Sequence, residues 1–199
     1  MEMAPMLRAA LLALSLAAAT LAPSPAPATT ITFGTEFRFL GAGSSYSEAG
    51  YTFTGIGGSH FAIEEFGNPV ASLIVGLNEP ITPSDILSIT RADGGAFTLD
   101  RFDYASTDFN LSDAVTFLFF LDNVQVGSIA DFSATTNVWT VGHVPAFLGT
   151  VDEIRLVGAA PGDTAMLIDN MVLTAVPAPA GAALLPAALA GLAIARRRA

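Results

Sequence analysis

The chain has 199 residues, of which 52% are hydrophobic and only 13% charged, room for one core between two end segments and too little for two full-sized domains. It contains no cysteine, and all 8 of its basic residues are arginine. That excludes disulfides, thiolate metal sites, cysteine nucleophiles, Schiff-base lysines and a Walker-type phosphate lysine.

Residues 1–28 read as a secretory signal peptide. Arg8 is the single base of the leading region, residues 9–21 form an apolar run on every helical face, and Ala26-Pro27-Ala28 offers the small side chains a signal peptidase reads. Cleavage is expected after Ala28. From Thr29 to Ala175 the chain carries four arginines (Arg38, Arg91, Arg101 and Arg155) against 17 of its 18 acidic residues, a net of −13. Such a body repels nucleic-acid phosphates and anionic lipid, so neither is expected as its partner.

Between the ends, short alternating or apolar runs bounded by Gly, Pro, Asn, Asp and Ser replace helical periodicity. Strands are expected at 31–39, 50–54, 60–63, 72–75, 86–91, 97–104, 114–121, 124–132, 139–141, 150–157 and 165–173. So many short strands in residues 29–174 predict an all-β fold, a two-sheet, jelly-roll-like β-sandwich. In 114–121, Val115, Phe117, Phe119 and Leu121 share one face while Leu118 and Phe120 take the other, so both faces want cover and the strand should be central. Asp122-Asn123 then suits a two-residue hairpin turn. In 165–173, Asp169 falls in an apolar row and requires a partner: Arg155, a backbone amide or a cation.

Catalytic patterns fail one by one. Gly43-Ser44-Ser45-Tyr46-Ser47 lacks the second glycine of a nucleophile elbow, and His60 is followed by no second histidine at metalloprotease spacing. The histidines, His60 and His143, lie far apart in sequence and read as structural. Glu64-Glu65 and Asp152-Glu153 are adjacent pairs, which on a strand point to opposite faces and do not act together. Asp100, Asp103 and Asp108 could gather near other acids. Trp139, the one tryptophan, is the candidate for stacking on a ligand, although a core position is the simpler reading. Asn110-Leu111-Ser112 matches a glycosylation sequon, a short pattern that arises by chance.

The chain closes with Val176-Pro177-Ala178-Pro179, an uncharged run from 180 to 195, and Arg196-Arg197-Arg198. A helix over 180–195 would span about 24 Å at about 1.5 Å per residue, short of a hydrocarbon core of about 30 Å, and the arginines would hold the C-terminus on the cytoplasmic side. Residues 175–199 thus resemble a PEP-CTERM sorting signal of the V-P-x-P type, with Ala178 where the name-giving form carries glutamate. The resemblance implies processing by an exosortase, an integral membrane protease-transpeptidase, after a transient stay in the membrane by a short transmembrane helix. The body, through residues 46–51, 93–99 and 168–171, resembles the lectin or carbohydrate-binding-module jelly rolls that often precede such tails. That resemblance would make Glu36 the partner of Asp169 at a calcium (Ca2+) site. The expected protein is therefore exported and non-enzymatic, a cell-surface or extracellular-matrix sandwich. The alternatives are a module that binds extracellular polysaccharide and a small hydrolase.

Overall fold

Period-two burial organises the chain into strands, as the alternation of apolar and polar residues demands. The computed structural model describes residues 27–34, 37–57, 61–64, 72–75, 85–106, 114–133, 138–158 and 166–177. The leader before Pro27, the segment after Pro177, Glu36, His60, Glu65, Asp108 and the Asn110 sequon lie outside them. Every element among the described residues is a strand: β1 Ala28–Ile31, β2 Arg38–Phe39, β3 Ser45–Glu48, β4 Tyr51–Gly57, β5 Phe61–Glu64, β6 Ser72–Val75, β7 Ile86–Arg91, β8 Phe97–Ser106, β9 Ala114–Leu121, β10 Val124–Ser133, β11 Thr140–His143, β12 Glu153–Gly158 and β13 Met166–Ala175.

They form two antiparallel sheets, a β-sandwich. One runs β11-β8-β13-β6-β5-β2 with β1 also paired to β13, and the other runs β10-β9-β12-β7-β4-β3. The core lies between them and is largely aromatic. Phe102 of β8 stacks on Phe117 of β9 with centroids 5.1 Å apart, Tyr51 of β4 meets Phe97 of β8 edge-on at 5.4 Å, and Phe33 meets Phe53 of β4 at 5.2 Å. Such contacts pin the two sheets to one register, because rings in these geometries attract beyond the area they bury.

The Asp122-Asn123 turn forms as expected, with φ of 52° and 63° and Leu121 opposite Val124, the left-handed pair a two-residue hairpin requires. The strand expected at 31–39 divides instead. Phe33 and Gly34 both take positive φ, 60° and 61°, so the chain leaves β13 and resumes as β2 on β5. The Ser-rich β3 had no apolar alternation to announce it, and it pairs with β4 through the Ala49-Gly50 turn. β9 is flanked by β10 and β12, but its second face is the outside of the sandwich. Leu118 and Phe120 are half-buried there.

The outer faces of the two sheets differ. On the seven-stranded sheet, Ala62, Ala105, Leu167 and Asp169 point away from the core and are nonetheless buried. On the six-stranded sheet the outward positions are half-buried or exposed apart from Ser88.

Candidate binding face and the buried carboxylates

Strand register carries two rows of side chains across the whole outer face of the six-stranded sheet. The first runs Gln125, Phe120, Glu153, Thr90, Thr52, Ser47. The second runs Ser128, Leu118, Arg155, Ser88, Thr54, Ser45. At a strand spacing of about 4.8 Å each row covers about 24 Å. Next to the polar edge residues Gln125 and Ser128 stand the apolar Phe120 and Leu118, the middle holds a charge pair, and the far end is an array of hydroxyls.

The middle is tightly built. Arg155 donates from Nε to Glu153 Oε1 at 2.9 Å and from Nη2 to Oε2 at 2.7 Å, a two-pronged pair of fixed orientation. Ser88 Oγ, 6% exposed, donates to the same carboxylate. The Arg155 guanidinium lies 4.3 Å over the Phe120 ring, a cation–π contact that ties the charge pair to the aromatic side chain beside it. Burial raises the Glu153 pKa, but the hydrogen bonds from Arg155 and Ser88 outweigh it and hold the carboxyl below its usual range. Glu153 stays ionised and matched to Arg155, so the two rows carry no net charge although residues 29–175 together carry −13.

On the other sheet the acids serve the backbone. β1 and β6 share one side of β13, β1 along 171–174 and β6 along 166–168, and Asp169-Asn170 stands where one partner stops and the other begins. Asn170 takes φ 47° there, and its amide donates to Asp169 Oδ1 at 2.7 Å. The Asp103 carboxylate opposite accepts from Gly142 N at 2.6 Å and Asn170 Nδ2 at 2.8 Å. Glu48 closes the end of β1, accepting from the amides of Thr32 and Phe33, the Thr32 hydroxyl and the Tyr46 hydroxyl at 2.7 to 3.2 Å. Burial, reinforced by the charges of Asp103 and Glu48 and opposed by the Asn170 amide, pushes Asp169 up to about 6.

Of the partners expected for Asp169, the backbone amide is the one observed, while Arg155 pairs with Glu153 on the opposite sheet. Calcium takes six to eight oxygen ligands. The described residues gather no group of three or more His, Cys, Asp or Glu able to hold a metal, and the carboxylates facing Asp169 are already engaged by N–H and O–H donors. Glu36, the second ligand expected, lies outside the described residues. Asp100 is likewise occupied, by the hydroxyls of Thr98 and Thr174 at 2.7 and 2.6 Å.

Trp139 is half-buried just before β11, at the edge of the seven-stranded sheet, away from the two rows. His143 packs edge-on against the rings of Phe102 and Tyr104, and burial lowers its pKa, which fits a structural histidine. Val176 N donates to Ala96 O at 2.8 Å, so the V-P-x-P motif begins where the last ladder ends.

No family model and no curated protein matches the chain. Among solved structures, it is similar to a single-site mutant of CBM29-2 from a study of ligand recognition by family 29 carbohydrate-binding modules, at 19% identity and a TM-score of 0.42, covering 74% of this chain and 92% of that one. A second mutant of the same module, complexed with cellulohexaose, gives 19%, a TM-score of 0.43, and 74% and 91% coverage. A structure described as carbohydrate-binding module family 29 gives 19%, 0.42, and 74% and 89%. Likeness at this level says nothing about what this chain binds.

Sequence reasoning missed the rows. Asp152-Glu153 was weighed only as a catalytic pair, while Glu153 opens β12 inside the strand expected at 150–157. The usable signal was the alternation of Glu153, Arg155 and Val157 against Ile154 and Leu156.

Proposed function

We propose that this chain is an exported, non-catalytic sandwich that binds neutral polysaccharide across the outer face of its six-stranded sheet. One observation carries the reading: in a strongly acidic body, the two rows that span this face hold a single charge pair, neutralised within itself and stacked on an aromatic ring. A polyol needs many short hydroxyl partners and a flat ring surface, and it is neither attracted nor repelled by net charge. Export rests on the leader at 1–28 and on the exosortase-type tail at 175–199.

The test is affinity electrophoresis of the full chain in gels containing hydroxyethyl cellulose, galactomannan or β-1,3-glucan. At least one gel retards the wild type. Phe120→Ala, which removes the ring and leaves the Arg155–Glu153 pair, weakens that retardation about tenfold, the loss expected for one stacking contact. Retardation by none of the three, or retardation unchanged by Phe120→Ala, overturns the reading.

A further inference from the structure

Six of the nine large hydrophobic side chains exposed among the described residues lie on one side of the sandwich. They are Val124 and Val126 on β10, Val138 and Val141 before and on β11, and Val144 and Leu148 on the loop that follows. β10 and β11 are the edge strands of their respective sheets on that side. The loop 144–150 crosses between the sheets there, with Phe147 stacked on Phe119 at 4.4 Å.

Sheet edges invite pairing with other chains, and proteins blunt them with short strands or charges. The opposite edges of this molecule follow that rule. β2 has two residues, one of them Arg38, and β3 has four and includes Glu48. β10 departs from it in length: it has ten residues, its one charge is Asp131 toward its C-terminal end, and no charged residue occurs from Val124 to Ala130 or from Val138 to Val151.

We propose that this side is the contact between two copies of the chain. The partner follows from charge and from chemistry. Two bodies of −13 repel one another wherever their acids face, and approach is least opposed where both present uncharged surface. An apolar side complements itself, as a two-fold contact requires, since the same patch serves both partners. Aliphatic side chains without a basic rim do not fit an anionic membrane surface, and they lack the hydroxyls and flat rings that the other face offers a polysaccharide. The contact is independent of the polysaccharide reading and leaves free the hydroxyl end of the two rows, on β7, β4 and β3.

The absence of cysteine supplies the test. Single cysteines are placed in the full chain at Val126, Val141 or Leu148, with Ser47, exposed on the opposite edge, as control, and each variant is treated with a short bis-maleimide. At least one of the three forms covalent dimer about tenfold more than the control, and adding Val144→Glu to that variant removes the excess. Equal yields at all four positions, as association through the C-terminal segment would give, overturn the proposal, as does persistence of the excess with Val144→Glu. Far-ultraviolet circular dichroism of every variant confirms the β fold before yields are compared.

Discussion

Asp169 illustrates how one carboxylate both serves and burdens a fold. Its Oδ1 satisfies an amide stranded between β1 and β6, while its charge is buried beside Asp103 of β8 and Glu48 of β3. The folded-state pKa of about 6 exceeds the ordinary 3.8 of an aspartate, so the native state binds the proton more tightly than the unfolded chain. The stability this provides is full below about pH 4 and is lost as pH rises through about 6, a change of about 3 kcal/mol. Asp169→Asn keeps an acceptor for Asn170 and removes the charge. Urea denaturation should therefore show Asp169→Asn gaining on the wild type between pH 4 and pH 7, up to about 3 kcal/mol more stable at the upper end. Taking the difference between the two proteins cancels the opposite titration of Glu153, whose lowered pKa contributes stability that is lost as pH falls. A constant difference across that range would show that the carboxylate is not desolvated in the native state.

At the scale of elements, the side of the sandwich between β10 and β11 is closed by one ring. Phe147 stacks on Phe119, and its ring lies against Gly127 of β10 and Gly149, where an added Cβ would overlap it. Gly127 is thus glycine for close approach and not for its φ. Phe147→Ala leaves a gap over Phe119 and should cost about 2–3 kcal/mol, toward the low end for a ring because it is only half-buried. Gly127→Ala alone should cost about 1–3 kcal/mol by overpacking. In the Phe147→Ala background the same methyl has space, so the two penalties should fall short of adding by about 1 kcal/mol or more in a double-mutant cycle. Strict additivity would show that ring and glycine do not share one space.

For the whole molecule, the legible part of the fold was what period two alone decides. Ile86–Arg91, Ala114–Leu121 and Ser72–Val75 lie at their expected bounds, because each reads as a run of strand formers between turn residues. What stayed hidden depends on partners far away in sequence. The break after Ile31 exists because β1 and β6 share one side of β13, and no local pattern reports that sharing. The charge-neutral face escaped notice for the same reason. Glu153, Arg155, Phe120 and Ser88 become neighbours only through the β7–β12–β9 register, and each alone reads as an ordinary surface residue. Asp169 was legible as a problem, since a carboxylate in an apolar row needs a partner, but its partner is the amide of the next residue in an unusual backbone conformation.

The ladders also bound where this chain can be cut and remain intact. Thr29, Thr30 and Ile31 pair with Leu173, Val172 and Met171, so removal of residues 1–28 sacrifices only the Ala28–Thr174 pair. At the other end Val176 is still bonded to Ala96, which makes the exposed Pro177 the first residue that cleavage can release without opening the sandwich. A mature protein processed at both ends should therefore begin at or just before Thr29, end beyond Val176, and lack Arg196, Arg197 and Arg198. Intact-mass measurement of protein from its native host reads both ends at once. A mass that retains the three arginines would reject exosortase processing. A first residue beyond Ile31 would mean that β1 is dispensable, and with it the capping of its end by Glu48 that divides the first strand in two.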